Sequence, residues 1–199
     1  TVQNGGDAML LEFRMSNYKS FKDETVFSLV PAPKQKGLDY SILHATVGRK
    51  AYKGLCSAVI YGPNAAGKTN IIGAMDSFKT IVLRGNIRND DDKSMPNAAA
   101  SALELIPNNT EDNALPVMFS IRFILLIDYK IGLDLGTFLA VDYKRKVVFE
   151  QLSVNEAPIF TRENGLKIHD LSGIKEWLAN EFEQNADSVI AIASANLND

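Results

Sequence analysis

An α/β fold carrying an antiparallel β-rich subdomain is predicted by three features of this sequence. A short apolar run at residues 55–61 feeds a glycine-rich turn, and the turn feeds a segment of helical periodicity. From about residue 103 to 167 the chain then becomes dense in β-branched and aromatic residues, with polar turns every 8 to 12 residues or so.

Taken in order, residues 1–8 (TVQNGGDA) are small and polar, with neither a basic start nor an apolar core for export, and read as a tail outside the fold. A nucleotide-binding lobe is expected over 9–100. It opens on a strand in which Leu11, Phe13 and Met15 alternate with Glu12, Arg14 and Ser16, the period of a half-buried strand. A second β-type run at 26–30 is halted by Pro31 and Pro33, and the connection over 34–54 carries no strong pattern, so it reads as a surface excursion. Residues 55–61 suit a strand buried on both faces. Ile71, Ile72, Met75, Phe78, Ile81 and Val82 recur at helical steps, and 84–97 is a polar, acidic loop. An antiparallel meander is expected within 101–170. Over 171–199, Ile174, Trp177, Leu178 and Phe182 mark an amphipathic helix.

Composition narrows the function classes. With 199 residues, 46% hydrophobic and 23% charged, the chain is of ordinary globular composition. A net charge of -3 argues against coating nucleic acid by bulk electrostatics, so any DNA must be contacted locally. No apolar run reaches the roughly 18 residues of a membrane span, and a cytoplasmic location is expected. Cys56 has no second cysteine to pair with and reads as a buried packing residue. His44 and His169 stand without ligand-spaced partners, and the Asn-Asp-Asp-Asp run at 89–92 reads as a solvated loop.

The chemical signal is the turn itself. Gly62-Pro63-Asn64-Ala65-Ala66-Gly67-Lys68-Thr69 matches G-x-x-x-x-G-K-[ST] at every fixed position, between an apolar run and a helical one. Gly62 and Gly67 let the backbone curl so that successive N–H groups face one concavity, and the helix adds its positive end. Lys68 is expected to reach the outer phosphates of a bound nucleotide, and the Thr69 hydroxyl is offered to Mg²⁺, which takes hard oxygen ligands. Lys68 is therefore the expected catalytic residue and Thr69 the expected metal ligand.

Two stretches together carry a resemblance. NYKSF at 17–21, following the first strand, is similar to N-[FY]-[RK]-S-[FH], and GPNAAGKTN at 62–70 is similar to G-x-N-[GA]-[SA]-G-K-[ST]-N. Both resemble the N-terminal portion of AAA-family ATPases of the ABC/SMC-like branch, close to the OLD-type and recombination ATPases. The resemblance covers about 9–85 and implies a P-loop NTPase lobe that dimerises head to tail through ATP, in DNA-related or defence work, often beside a Toprim-type nuclease. It places Lys19 near the nucleotide phosphates and brings Asn70 into the nucleotide-binding set.

Other parts of such an ATPase are missing from view: a Q-loop, a serine-glycine signature and a strand ending in Asp-Glu. The run FILLID at 123–128 offers Asp128, but Tyr129 follows in place of Glu, and DYKIG reads better as a hairpin tip. The chain thus reads as the N-terminal portion of a longer ATPase. The alternative is a nucleotide-dependent scaffold without significant hydrolysis. A GTPase is disfavoured by the lack of [NT]-K-x-D, and a P-loop kinase by the lack of lid arginines.

Overall fold

Alternation in the first strand decides which way the sheet faces. Along β1 (Ala8–Ser16), Phe13 and Met15 are buried on one side while Glu12 and Arg14 turn to the other. A bulge between Leu10 and Glu12 then shifts the parity, so that Met9 and Leu11 are buried on the opposite side. The computed structural model describes residues 8–34, 37, 39–84, 103–108, 115–128, 131–142 and 146–170.

The further elements are β2 (Thr25–Ser28), β3 (Ile42–Val47), β4 (Lys50–Leu55), α1 (Lys68–Arg84), β5 (Val117–Asp128), β6 (Ile131–Val141), β7 (Val147–Val154), β8 (Ala157–Arg162) and β9 (Leu166–Ile168). The described strands form one sheet in the order β2-β1-β5-β6-β7-β8-β9, antiparallel throughout this path. The β3–β4 hairpin joins it by a single parallel pairing, Thr46 with Ile131. Strand β1 pairs directly with β5, so one sheet runs from the N-terminal strands into the meander. Between β7 and β8 the loop is two residues, Asn155 and Glu156, both at positive φ, the geometry that matches the twist of a tight hairpin.

Helix α1 lies on the Phe13 face. Ala74, Phe78 and Ile81, spaced four and three residues apart, are buried against Phe13, Met15, Phe119, Leu139 and Val141. The rings of Phe13 and Phe119 stack at 6.1 Å, and Phe78 meets both edge-on. Full burial of each such side chain contributes about 1.5–3 kcal/mol, which makes this cluster the main anchor of the helix. On the other face, Ala45 and Val47 of the hairpin cover Met9, Leu11 and Ile124.

Three expectations are corrected. The run 55–61 is not a buried strand: β4 ends at Leu55, residues 56–61 pair with no strand, and Val59 and Tyr61 are 85% and 90% exposed. A strand buried on both faces needs a neighbouring strand to satisfy its N–H and C=O groups, and no described strand runs beside it. Cys56 shares this setting and is exposed. The connection over 34–54 is not a featureless excursion but contains the β3–β4 hairpin, turned at Gly48 with φ 57°. Strand β3 carries Ile42, Leu43, Ala45 and Val47, but Ile42 and Leu43 stand side by side and blur the alternation, and of these four Ala45 and Val47 are buried.

The antiparallel meander is present as β5 to β9, beginning at Val117 rather than near residue 103. Leu103 and Leu105 precede it as core residues outside any strand. The amphipathic helix expected around 174–182 and the acidic run at 89–92 lie outside the described residues.

Candidate phosphate-binding site

The glycine-rich turn stands open at the N-terminus of α1. Ala65 at φ 63° and Gly67 at φ 82° give it the left-handed curl, Ala66 N–H donates to Pro63 O at 3.3 Å, and Asn70 N–H donates to Gly67 O at 2.9 Å. Residues 62–66 and Thr69 are exposed. Lys68 folds back over the turn and donates from Nζ to Gly62 O at 2.8 Å and Pro63 O at 2.7 Å. An ammonium held only by two carbonyls is ready to exchange them for anionic oxygens, since charge-assisted hydrogen bonds are the stronger kind. The first N–H groups of a helix have no acceptor within it, and α1 carries no acidic residue in its first turn to compete for them.

The element NYKSF sits against this turn, although residues 22–61 separate the two in sequence. Tyr18 and Phe21 exchange backbone hydrogen bonds at 2.9 and 2.8 Å, folding 18–21 into a tight elbow with Asn17 and Lys19 both at positive φ. Asparagine tolerates that conformation, whereas for lysine it is strained by about 1–2 kcal/mol. The surroundings hold it. Lys19 N–H donates to Ile106 O at 2.8 Å, Asn17 Nδ2 donates to Leu115 O at 2.8 Å, and Tyr18 is fully buried beside Phe119.

From this elbow Ser20 reaches the turn. Asn70 Nδ2 donates to Ser20 Oγ at 2.8 Å, and a Cβ on Gly67 would lie 2.7 Å from that same oxygen. Lys19, one residue earlier, is bound to Glu104 and lies 5.5 Å from the Tyr18 ring centroid. Its hydrogen bond to Glu104 raises the Lys19 pKa and lowers that of Glu104. A Cβ on Gly73 would approach the Tyr18 hydroxyl at 3.1 Å and Lys19 Nζ at 3.7 Å, which places Lys19 beside the second turn of α1.

The structure therefore gathers Gly62, Pro63, Asn64, Ala65, Ala66, Gly67, Lys68, Thr69 and Asn70 in one turn with Lys19 nearby. It adds Ser20, whose only sequence signal is its place in NYKSF, and Glu104, which has none. Asp128 ends β5 opposite Ile131, and β5 runs antiparallel to both of its neighbours. Among the described residues no group of three or more His, Cys, Asp or Glu could hold a metal ion. Two surface clefts, of about 330 and 520 Å³, lie away from the turn, over the Glu12–Arg122–Gln151 face and beneath residues 30–34.

The chain matches no protein-family model and no curated protein. No helix among the described residues is long and apolar enough to cross a membrane.

Proposed function

We propose that this chain is the ATP-binding portion of an ABC/SMC-like ATPase, in which Mg-ATP binding drives a dimerisation switch in DNA-related or defence work. The observation that carries the reading is the meeting of two separate motifs: the complete phosphate-loop turn at the head of α1, and the NYKSF elbow seated against Gly67 and Asn70. A glycine turn arising by chance has no reason to be matched by a second motif element from another part of the chain.

In this reading the turn and the helix end bind the phosphates, and Lys68 leaves the carbonyls of Gly62 and Pro63 to stabilise charge on the γ-phosphate as water attacks it. Thr69 is the residue that would hold Mg²⁺, which neutralises phosphate charge when bound. The partners that follow are a second copy of the ATPase, a Toprim-type nuclease and DNA.

One observation favours the alternative of a scaffold without significant hydrolysis. The strand that follows the phosphate-loop helix among the described residues, β5, is antiparallel to both its neighbours, and Asp128 closes it opposite Ile131 where the reading of a hydrolysing ATPase calls for a parallel strand. Titration of a fluorescent ATP analogue tests the shared core of both readings. The wild-type chain binds it in the presence of Mg²⁺, and Lys68→Ala loses binding with an unchanged circular dichroism spectrum. Equal affinity in the folded variant refutes the proposal.

A further inference from the structure

We infer that Ser20 is a positioning residue for phosphate binding, holding Gly67 and Asn70 so that the head of α1 stays open to the anion; this rests on the nucleotide-binding reading above. Three observations lead there. Ser20 Oγ accepts the Asn70 side-chain amide at 2.8 Å, so the hydroxyl fixes a residue in the first turn of the helix. The same oxygen fills the space a Cβ on Gly67 would need, which makes the serine and the glycine complementary in shape. The elbow behind Ser20 is itself anchored on both sides, by backbone hydrogen bonds from Lys19 to Ile106 and from Asn108 to Asn17, and it carries a strained lysine backbone. Strain that the surroundings hold in place is common where a site is preorganised.

Physical consequences distinguish this from a plain packing role. Ser20 is exposed, so loss of its hydroxyl leaves no buried cavity. It frees the Asn70 amide, which is then able to swing toward the N–H groups and Lys68 that the phosphates use. The hydroxyl acts on the cradle rather than on a particular phosphate, so ATP and ADP are affected alike.

The experiment compares wild type, Ser20→Ala and Ser20→Thr in the full chain, with fluorescent ATP and ADP analogues in Mg²⁺ and with thermal melts. Loss of one hydrogen bond of ordinary strength predicts that Ser20→Ala weakens both nucleotides by about five- to tenfold at an unchanged melting temperature. Ser20→Thr, which keeps the hydroxyl, restores both affinities. Unchanged affinity in Ser20→Ala overturns the inference, as does failure of the threonine to restore it. A loss confined to ATP overturns it too, since that pattern belongs to direct contact with the γ-phosphate. If the wild-type chain binds neither nucleotide, the nucleotide-binding reading and this inference fall together, whereas binding that is indifferent to Ser20 removes the inference alone.

Discussion

Tyr52 Oη donates a 2.9 Å hydrogen bond to Asp134 Oδ2, tying the β3–β4 hairpin to the middle of the sheet. Asp134 is only 3% exposed, and its carboxylate also receives Arg122 through Nε at 3.0 Å and through Nη2. Arg122 in turn lies 5.7 Å from the Tyr52 ring centroid and reaches Glu156, which holds Lys50 of β4. Four strands or turns thus converge on one buried carboxylate. Removing the hydroxyl with Tyr52→Phe is expected to cost about 1 kcal/mol in urea unfolding. Asp134→Ala is expected to cost more, about 2 kcal/mol, because it leaves Arg122 without its main partner while that guanidinium remains partly solvated. Equal stabilities in all three proteins would show that the network is ornamental.

Acid should weaken the same joint. Burial alone raises the Asp134 pKa, but the hydrogen bonds from Arg122 and Tyr52 outweigh it and hold the group below its ordinary value of 3.8. A carboxyl lowered on folding contributes stability that is fully present above its unfolded pKa and is lost as pH falls through the folded one. The expected result is a urea midpoint that drops on acidification below about pH 4, and less steeply in Asp134→Asn, which has no charge to lose. Parallel curves for the two proteins would contradict the assignment. Glu156 is lowered as well, mainly by its hydrogen bond to Lys50, but it is exposed and adds little.

Gly54 sets how closely the hairpin lies on the sheet. A Cβ there would meet Met9 Cγ at 2.6 Å and Sδ at 2.8 Å, closer than side-chain carbons come without something moving. Gly54→Val should therefore destabilise by about 1–3 kcal/mol, the usual cost of overpacking. Met9→Ala, which vacates that space, should recover part of the loss in a double-mutant cycle. Additive effects would place the clash elsewhere.

Turnover by this chain alone should be very slow. On the proposed reading the backbone turn, Lys68 and Thr69 serve binding, but the sequence offers no strand ending in Asp-Glu to orient the attacking water. The second subunit that the ABC-like reading calls for is also outside a lone chain. Positioned groups of that kind are each worth about 10²–10³ in rate. A phosphate-release assay, with Lys68→Ala as the blank, should fall well below the roughly 1 s⁻¹ at the low end of ordinary enzymes. Turnover near that value and abolished in the blank would show that the chain carries its own catalytic set, with Asp128 the first residue to substitute.

The sequence by itself determined what depends on spacing along the chain. The glycine-rich turn, the helix with Phe78 and Ile81 on its buried side, the alternation of Phe13 and Met15 with Glu12 and Arg14, and the antiparallel meander were legible from local period and turn chemistry, whereas a bulge carries Leu11 to the opposite face and Ile72 is 58% exposed. Only the tertiary structure decided which apolar runs are paired and which functional groups meet. Residues 55–61 and β3 are both short apolar stretches, and nothing in their composition says that Ala45 and Val47 are covered while Val59 and Tyr61 are bare. That difference lies in whether another strand runs alongside. In the same way, Ser20 against Gly67, Lys19 on Glu104 and Tyr52 on Asp134 join residues 47, 85 and 82 positions apart. Contacts at such separations are fixed by how the sheet folds, and a local pattern carries no record of them.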